Sequence, residues 1–468
     1  MKLPDRLLLE VGRVVRPSQQ RTLQLIETMS PDDTAAFLDL VKFHKVAPQV
    51  HLNLSRSAGD QPTGAYLLQK LTSEAQHSER FLARHREKLE ELAARSGISF
   101  TAIKGTATAG LYGAETGCRQ IADADIVISW QNAWRMFEYL ALSEHKFLKI
   151  RFGSSHAHRS DDTYPPYYGV CPAMRQLPEG KFFLDVHFGA FPACGHGLIS
   201  LEEGDTVADP SGVRRPTAQK SLIIILAHAI RQGFCRLRDI NDLYLLARSM
   251  EGEQADGLLA EARRTHLFPL LRSMLRITCT VYGTDLAVAN AAGVQGRMRW
   301  ADRELLLGRR QHAMGYIEDV RMLWSRSWQL RYLTALHGEL SGPAGGILRA
   351  AVDAPLLFRT GRPYQLWHGA RNLDTDERFV VRPVSTLDRP VDEISIRERL
   401  ETAGWLVKRN ARFDLWQIRA PAGPEFIVAG RLVCAQTDYS GAELDQRAIA
   451  GPLRDLAGVA QVECRLLT

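Results

Sequence analysis

Residues that could do phosphate chemistry stand close together between positions 104 and 125. Lys104-Gly105-Thr106 ends one apolar run, and Asp123 and Asp125 open the next. In a strand, residues i and i+2 share a face about 6.5 to 7 Å apart, so both carboxylates can point into one site. Mg²⁺ prefers such oxygen ligands, and a glycine directly after a strand lets backbone amides approach a phosphate. The spacing therefore predicts a binding site for Mg²⁺ and for a phosphate group.

Two cationic side chains and a hydroxyl group lie next to this predicted binding site in the sequence. Lys104 and Arg119 could offset phosphate charge, and Arg119 could bind two oxygens at once. The structural alternatives are an exposed strand end for Lys104 and an ordinary ion pair with Asp123 for Arg119. The Thr106 hydroxyl could contact a phosphate, cap the following helix, or do both.

The same residues resemble the uncharacterised nucleotidyltransferase-like family of the polymerase-beta nucleotidyltransferase superfamily. The resemblance rests on a strand ending in Lys104-Gly105, then Arg119, then Asp123-Ala-Asp-Ile-Val127, with Asp185 on a later strand. It covers about residues 30 to 250 and implies transfer of a nucleotidyl group from a nucleoside triphosphate, ATP above all, with two Mg²⁺ ions.

The resemblance also implies a role for each carboxylate. Asp123 and Asp125 would bind both metal ions, while Asp185 would bind the ion beside the attacking oxygen and take its proton. The chain departs from the commoner family pattern in two places. Ala122-Asp-Ala-Asp125 replaces Ser-Asp-Ile-Asp, and Thr106 stands where the superfamily usually has serine.

His187 lies two residues after Asp185, on the same face of the predicted strand 181–188. It could orient the acceptor on that side of the site, or it could be a satisfied buried histidine. With Asp185, Cys194 and His196 it could also form a zinc cluster, but Cys-x-His alone is not a known zinc-ligand spacing.

The predicted helix 217–232 places Lys220 and His228 on one face, which could line the nucleotide cleft opposite the sheet. A hydrogen-bonded His228 inside the helical packing is the alternative. Asp239 resembles an Asp-Ile position of the family and could join the nucleotide site. Alternatively, it could cap its helix or pair with Arg236 or Arg238.

The order of predicted elements is strand, helix, strand, helix, strand, hairpin. It fits an α/β (α+β) fold with a small mixed sheet, and it does not fit an all-parallel doubly wound sheet. Within the C-terminal unit, residues 425–433 are predicted as one strand. We expect an N-terminal helical segment (1–97), a nucleotidyltransferase-like core (98–215), a helical domain (216–345), a linker (346–375) and a small C-terminal α+β domain (376–468).

Composition bounds the function classes. The chain has 468 residues, 45% hydrophobic and 24% charged, which is ordinary for a globular protein of two or three domains. Its formal charge of +6 permits an anionic substrate without identifying one. Seven unpatterned cysteines, a poor signal peptide and the lack of a long apolar run predict a soluble cytoplasmic protein with no membrane contact.

The sequence leaves the acceptor open between a small molecule, a peptide and an RNA. A tailoring or toxin-like enzyme would share the chemistry and differ only in that acceptor. The alternative from another class is a non-catalytic nucleotide-binding or scaffold protein that retains the fold, with the C-terminal unit recruiting a protein partner. A missing third carboxylate would have favoured this alternative, whereas Asp123, Asp125 and Asp185 are all present.

Overall fold

The computed structural model describes most of residues 1–306 and 378–466. Within those ranges it leaves out residues 59, 144, 148–149, 155–166, 179, 190, 193–197, 210–211, 233–234, 266, 297, 300–301, 304–305, 389–393, 411–414, 420, 422–424 and 438–445. The predicted linker 346–375 and most of the predicted helical stretch after residue 306 lie outside the described residues.

Helices account for most of the residues before the first strand and for most of the described residues between the tenth strand and position 306. They are α1 (Leu3–Val11), α2 (Gln19–Glu27), α3 (Pro31–His44), α4 (Ala47–Ser57), α5 (Pro62–Ser96), α6 (Lys104–Thr108), α7 (Ala133–Leu142), α8 (Ala218–Gln232), α9 (Leu237–Ala247), α10 (Glu253–Arg264), α11 (Phe268–Tyr282), α12 (Ala287–Ala291), α13 (Ile394–Thr402) and α14 (Gln446–Ala460).

The strands fall in two groups along the chain. They are β1 (Phe100–Ile103), β2 (Ala124–Ile128), β3 (Lys146–Phe147), β4 (Ile150–Ser154), β5 (Tyr167–Leu177), β6 (Gly180–Gly189), β7 (Phe191–Pro192), β8 (Leu198–Ile199), β9 (Thr206–Ala208), β10 (Arg214–Pro216), β11 (Arg378–Leu387), β12 (Leu406–Asn410), β13 (Leu415–Arg419), β14 (Glu425–Ala429), β15 (Leu432–Thr437) and β16 (Cys464–Leu466).

Fourteen of the described strands form one mixed sheet in the order β12-β13-β14-β15-β11-β4-β5-β6-β2-β1-β10-β9, with β16 beside β11 and β3 beside β5. β2 runs parallel to β6 and β1 runs parallel to β10, whereas β5 and β6 form an antiparallel hairpin. The expected mixed sheet is confirmed, and the fold is α+β.

Local sequence explains where the long helices begin and end. The Ser30 hydroxyl accepts the backbone N–H of Asp33, and Pro31 occupies the first helical turn, so α3 begins at residue 31. α5 ends at Gly97, whose φ of 62° lies in the left-handed region. Every residue of β1 and of β2 is buried, because both strands lie inside the sheet between packed layers.

Two apolar cores pack against β1 and β2. One apolar core joins the N-terminal helices α1 to α4 to the later helices α8 to α12. A second lies between the sheet and the helices α5 and α7. Both cores include residues of β1 and of β2, so these two strands lie between the two groups of helices.

The C-terminal strands do not form a sheet of their own. β11 pairs with β4, so the strands after residue 378 extend the sheet of the core. The expected single strand 425–433 is wrong, because Gly430 has a φ of 54° and reverses the chain between β14 and β15. The domain boundaries inferred from the sequence stay predictions. No helix within the described residues is both long and apolar enough to cross a bilayer.

Candidate active site

The turn after β1 brings a lysine and a glycine to the end of the strand. Lys104 has a φ of 51°, which L side chains rarely adopt, and α6 begins at this residue. A Cβ on Gly105 would lie 2.2 Å from Arg119 Nη1 and 2.9 Å from Ile121 Cγ2, so this close approach requires glycine. Thr106 does not cap α6, which begins two residues earlier. Its buried hydroxyl has no hydrogen-bond partner in the described structure, which suits a phosphate oxygen.

Asp125 stands at the centre of the site. β2 places it opposite Ile103 of β1 on one side and opposite Asp185 of β6 on the other. Lys104 Nζ lies 2.5 Å from Asp125 Oδ1, and His187 Nε2 lies 3.0 Å from the same oxygen. Burial raises the pKa of Asp125, but Lys104 and His187 together hold that pKa well below its usual range. The group is therefore a carboxylate despite its burial.

Asp125, Asp185 and His187 have the geometry of a metal site. Their candidate ligand atoms all lie within 4.8 Å of one another. Asp185 and His187 share a face of β6 because they are two residues apart. Two carboxylates with an imidazole suit a hard or borderline divalent cation such as Mg²⁺ or Mn²⁺, so the residues present fit the implied metal.

Asp123 lies just before β2 and faces the same site. Burial and the neighbouring Asp125 raise the pKa of Asp123, while Lys104, Lys45 and Arg238 oppose that rise. Asp123 is not among the three residues whose ligand atoms already lie together. The metal set predicted from the sequence and the geometric set share Asp125 and Asp185, and they differ in having Asp123 or His187 as the third residue.

Arg119 is bound inside the protein. Its Nε lies 2.9 Å from each carboxylate oxygen of Asp242, and its Nη2 donates to Asp242 Oδ2 at 2.6 Å. The Tyr112 hydroxyl donates to the same carboxylate at 2.7 Å. Burial lowers the pKa of Arg119, but Asp242 more than offsets this and keeps that pKa above its ordinary value. The alternative ion pair with Asp123 is wrong, and a contact between Arg119 and phosphate stays a prediction.

Lys220 and His228 share α8 but have different surroundings. Lys220 Nζ lies 3.1 Å from Glu261 Oε1 and 3.3 Å from Asp205 Oδ2. His228 lies about 12 Å further along the helix axis and interacts electrostatically with Lys104. Burial, and then Lys104, lower the pKa of His228 to about 3, so it faces the site as a neutral imidazole.

Asp239 caps its own helix. Its Oδ2 accepts the backbone N–H of Arg236 at 2.9 Å, and its Oδ1 lies 3.5 Å from Arg238 Nε. Burial raises the pKa of Asp239, but Arg238, the Arg236 amide and His228 leave that pKa below its ordinary value. Both structural alternatives for Asp239, the cap and the ion pair, are confirmed. Its part in nucleotide binding stays a prediction.

Sequence reasoning passed over a lysine on the helical side of the site. Lys45 directly follows α3, is half-buried, and interacts electrostatically with Asp123, Arg236 and Arg238. The one sequence feature near Lys45 that could have drawn attention to it is Pro48, which marks the start of the next helix. Pro48 does not indicate which residues the lysine side chain faces. The suggested zinc ligands Cys194 and His196 lie outside the described residues.

Residues 30–283 match a family model described as an uncharacterised nucleotidyltransferase. The chain belongs to this nucleotidyltransferase family. The match contains the β1 turn, Asp125, Asp185, His187 and the start of α9, so the whole site described above lies within the family region.

Two solved structures are similar to this chain. One is JHP933 from Helicobacter pylori, at 14% identity and a TM-score of 0.26, covering 47% of this chain and 90% of that one. The other is an antigenic nucleotidyltransferase-like protein from Paracoccidioides brasiliensis, at 17% identity and a TM-score of 0.24, covering 42% of this chain and 92% of that one. A comparison with curated protein sequences gave no match.

Proposed function

We propose that this nucleotidyltransferase moves a nucleoside monophosphate from a nucleoside triphosphate, ATP above all, to an acceptor hydroxyl and releases pyrophosphate. One observation carries the proposal. Asp125 and Asp185 pair in register on adjacent parallel strands, and Lys104 of the strand-glycine turn contacts Asp125, in a chain of the nucleotidyltransferase family. Two carboxylates beside a turn that can receive phosphate are what polymerase-beta-type chemistry requires.

The metal ligands in this proposal are Asp125 and Asp185, joined by Asp123 and by His187. Bound Mg²⁺ would neutralise charge on the triphosphate and on the leaving pyrophosphate. All other work falls to the protein's own groups, which hold the substrates in line and exclude water. Burial of Asp125 strengthens each of these electrostatic contacts, because the local dielectric is low.

The reaction balances with groups that face the site. The acceptor oxygen attacks the α-phosphorus and forms a P–O bond, while the bond from that phosphorus to the β-bridging oxygen breaks. The acceptor proton passes to the Asp185 carboxylate and from there to solvent. Lys104 and the Thr106 hydroxyl would stabilise the phosphate oxygens during this step. Pyrophosphate leaves with the bonding electron pair.

The decisive measurement is a nucleotide titration with Mg²⁺, in which pyrophosphate release is followed in parallel for each of the four triphosphates. We expect metal-dependent binding by the wild type. The double variant Asp123→Asn/Asp125→Asn should lose it, because two carboxylates facing the metal are gone.

A matched control removes two carboxylates elsewhere. Asp39 and Asp256 are exposed on helix faces, so Asp39→Asn/Asp256→Asn should bind and turn over like the wild type. Binding without pyrophosphate release in the presence of many candidate acceptors would favour the non-catalytic nucleotide-binding alternative. A folded wild type that binds no triphosphate would overturn the transferase proposal.

The acceptor class can be narrowed by retention on immobilised RNA across a salt series. An RNA acceptor would be released steeply as salt rises, since each phosphate contact displaces counterions. Weak retention with little dependence on salt would favour a small molecule or a peptide. A protein partner of the C-terminal unit stays a further prediction.

A further inference from the structure

Three separate segments meet directly in front of Asp123. The Gln49 side chain of α4 donates to the Cys118 carbonyl at 2.7 Å, which fixes the end of the α3–α4 turn against the loop that leads to Asp123. The backbone N–H of Leu237 donates to His44 Nδ1 at 3.0 Å, which ties the start of α9 to the end of α3. This junction lies on the helical side of the site, opposite the sheet.

Three cations occupy the junction. Lys45 is the residue after α3, Arg236 directly precedes α9, and Arg238 lies in the first turn of α9. Arg238 is 8% exposed, and its Nη1 donates to the Gln120 carbonyl at 3.2 Å, three residues before Asp123. The Arg236 guanidinium lies 6.0 Å from the centre of the Phe43 ring. Arg238 is held by the Gln120 carbonyl, Arg236 lies against Phe43, and Lys45 is placed by the end of α3, so their convergence is a property of the fold.

Holding these charges together costs free energy. Burial, and then Arg238 and Arg236, lower the pKa of Lys45 to about 8, although Asp123 attracts its ammonium. The backbone of Lys45 also has a φ of 53°, a conformation that is unfavourable for any residue with a Cβ. A strained, half-buried lysine among like charges is typical of a site that is completed by an anion.

We propose that Lys45, Arg236 and Arg238 bind the β- and γ-phosphates of the triphosphate, so that the helical side holds the pyrophosphate end of the substrate. This inference rests on the proposed function. Asp123 interacts electrostatically with Asp125 and Lys104 on the sheet side and with Lys45 and Arg238 on the helical side. The α-phosphate would therefore lie toward Asp125 and the phosphate tail toward Lys45. The site should therefore have a higher affinity for triphosphates than for monophosphates, and it should also bind the pyrophosphate product.

The junction favours a short polyphosphate over a nucleic-acid backbone. Arg238 is buried and Lys45 is half-buried at the end of α3, so neither is an exposed cation on an open surface. An extended strand would need exposed cations along a groove. Enclosed cations with planar guanidinium groups suit the oxygens of a bound phosphate tail.

The test compares binding of a non-hydrolysable α,β-methylene triphosphate, the matching monophosphate and inorganic tripolyphosphate, each with Mg²⁺. Lys45→Met should weaken binding of both triphosphate-containing ligands about 10- to 100-fold, as expected for the loss of one charged contact. Monophosphate affinity should change less than about twofold. The Lys45 ammonium makes no hydrogen bond within the described residues, so this variant should fold.

Lys42 supplies the matched control, because it is an exposed lysine one turn earlier on α3. Lys42→Met removes the same charge and should leave all three affinities unchanged. A second variant, Lys45→Gly, removes the charge and relieves the backbone strain. It should raise the thermal midpoint by about 1 to 3 °C while weakening triphosphate binding as Lys45→Met does.

Three results would overturn the inference, and they are distinguishable. If the wild type binds triphosphate with Mg²⁺ and Lys45→Met binds it equally well, the phosphate tail lies elsewhere while the proposed function stands. If Lys45→Met loses retention on RNA but keeps triphosphate affinity, the junction contacts the acceptor. A folded wild type that binds no triphosphate at all removes the proposed function and this inference together.

Discussion

At the scale of single residues, the site is built from backbone conformations that are costly elsewhere. Among the described residues, the non-glycine positions with positive φ are Lys45, Lys104 and Gln461. Two of these three, Lys45 and Lys104, interact electrostatically with Asp123. Each such conformation costs on the order of 1 kcal/mol and persists where the surrounding structure enforces it. Both strained residues are therefore lysines whose charge acts on Asp123.

Gly105 gives a prediction at this scale. Gly105→Ala should destabilise the protein by about 1 to 3 kcal/mol and lower kcat, because its Cβ would meet Arg119 Nη1 at 2.2 Å. Urea denaturation and a rate measurement check both effects. Gly113→Ala is the control, since a Cβ there meets nothing within 4 Å. Equal stability for the two variants would show that the loop around Arg119 can move aside.

At the scale of elements, parallel pairing of β2 with β6 brings two distant carboxylates together, and α9 holds the loop beside them. The carboxylate of Asp242 on α9 accepts from Arg119 and from the Tyr112 hydroxyl. Arg119 and Asp242 are both buried. This ion pair ties the helical wall to the loop between α6 and β2, so the width of the site depends on it.

Asp242→Asn should therefore be strongly destabilising. It leaves the Arg119 guanidinium buried without its compensating charge, which costs about 3 to 5 kcal/mol. Because the loop would also shift, kcat/KM should fall more than stability alone explains. Denaturant unfolding combined with kinetics below the unfolding transition measures both effects.

An exposed ion pair provides the comparison. Arg95 pairs with Glu91 at 2.9 Å, but its side chain is 69% exposed. Arg95→Gln should cost less than about 1 kcal/mol. If Asp242→Asn were as mild as Arg95→Gln, the buried pair would not be what holds α9 to the loop.

At the scale of the whole molecule, buried histidines make the fold sensitive to acid. Burial is the main cause that lowers the pKa of His44 to about 3 and the pKa values of His85 and His145 to about 4. The ordinary pKa of histidine is 6.5, so below that pH these side chains are protonated in the unfolded chain but stay neutral in the folded protein. The contribution of these neutral histidines to the free energy of unfolding is therefore fully present above pH 6.5 and is lost as the pH falls from about 6.5 toward 4.

The expected result is a falling free energy of unfolding between pH 6.5 and 4.5, by up to about 1.4 kcal/mol per pH unit for each of these histidines. Carboxylates with lowered pKa values act mainly below this window. His85→Phe keeps the stacking against Phe81, whose ring centre lies 3.9 Å from that of His85, and should reduce the slope by about one proton. Denaturation at several pH values tests this, and a stability that does not change with pH would contradict it.

Much of this organisation could be predicted from the sequence. Alternation and turn residues indicated β1, β2 and the β5–β6 hairpin. The spacing of Asp123 and Asp125 made them candidates, and the resemblance to the family added Asp185. Two features were not accessible. The joining of β11 to β4 depends on pairing between residues more than 200 positions apart. The hairpin at Gly430 was missed because two adjacent apolar strands look like one continuous run.

The sequence by itself determined the chemistry available to this protein. It fixed which residues carry carboxylates, where a glycine permits close approach, and which pattern the family shares, because spacing of two in a strand and a break after a strand are local properties. Only the tertiary structure decided which side chains contact one another in the site. Arg119 bonds Asp242 rather than Asp123, His187 joins Asp125, and Lys45 reaches the site from α3. Such contacts arise from packing between distant elements, which local spacing does not encode.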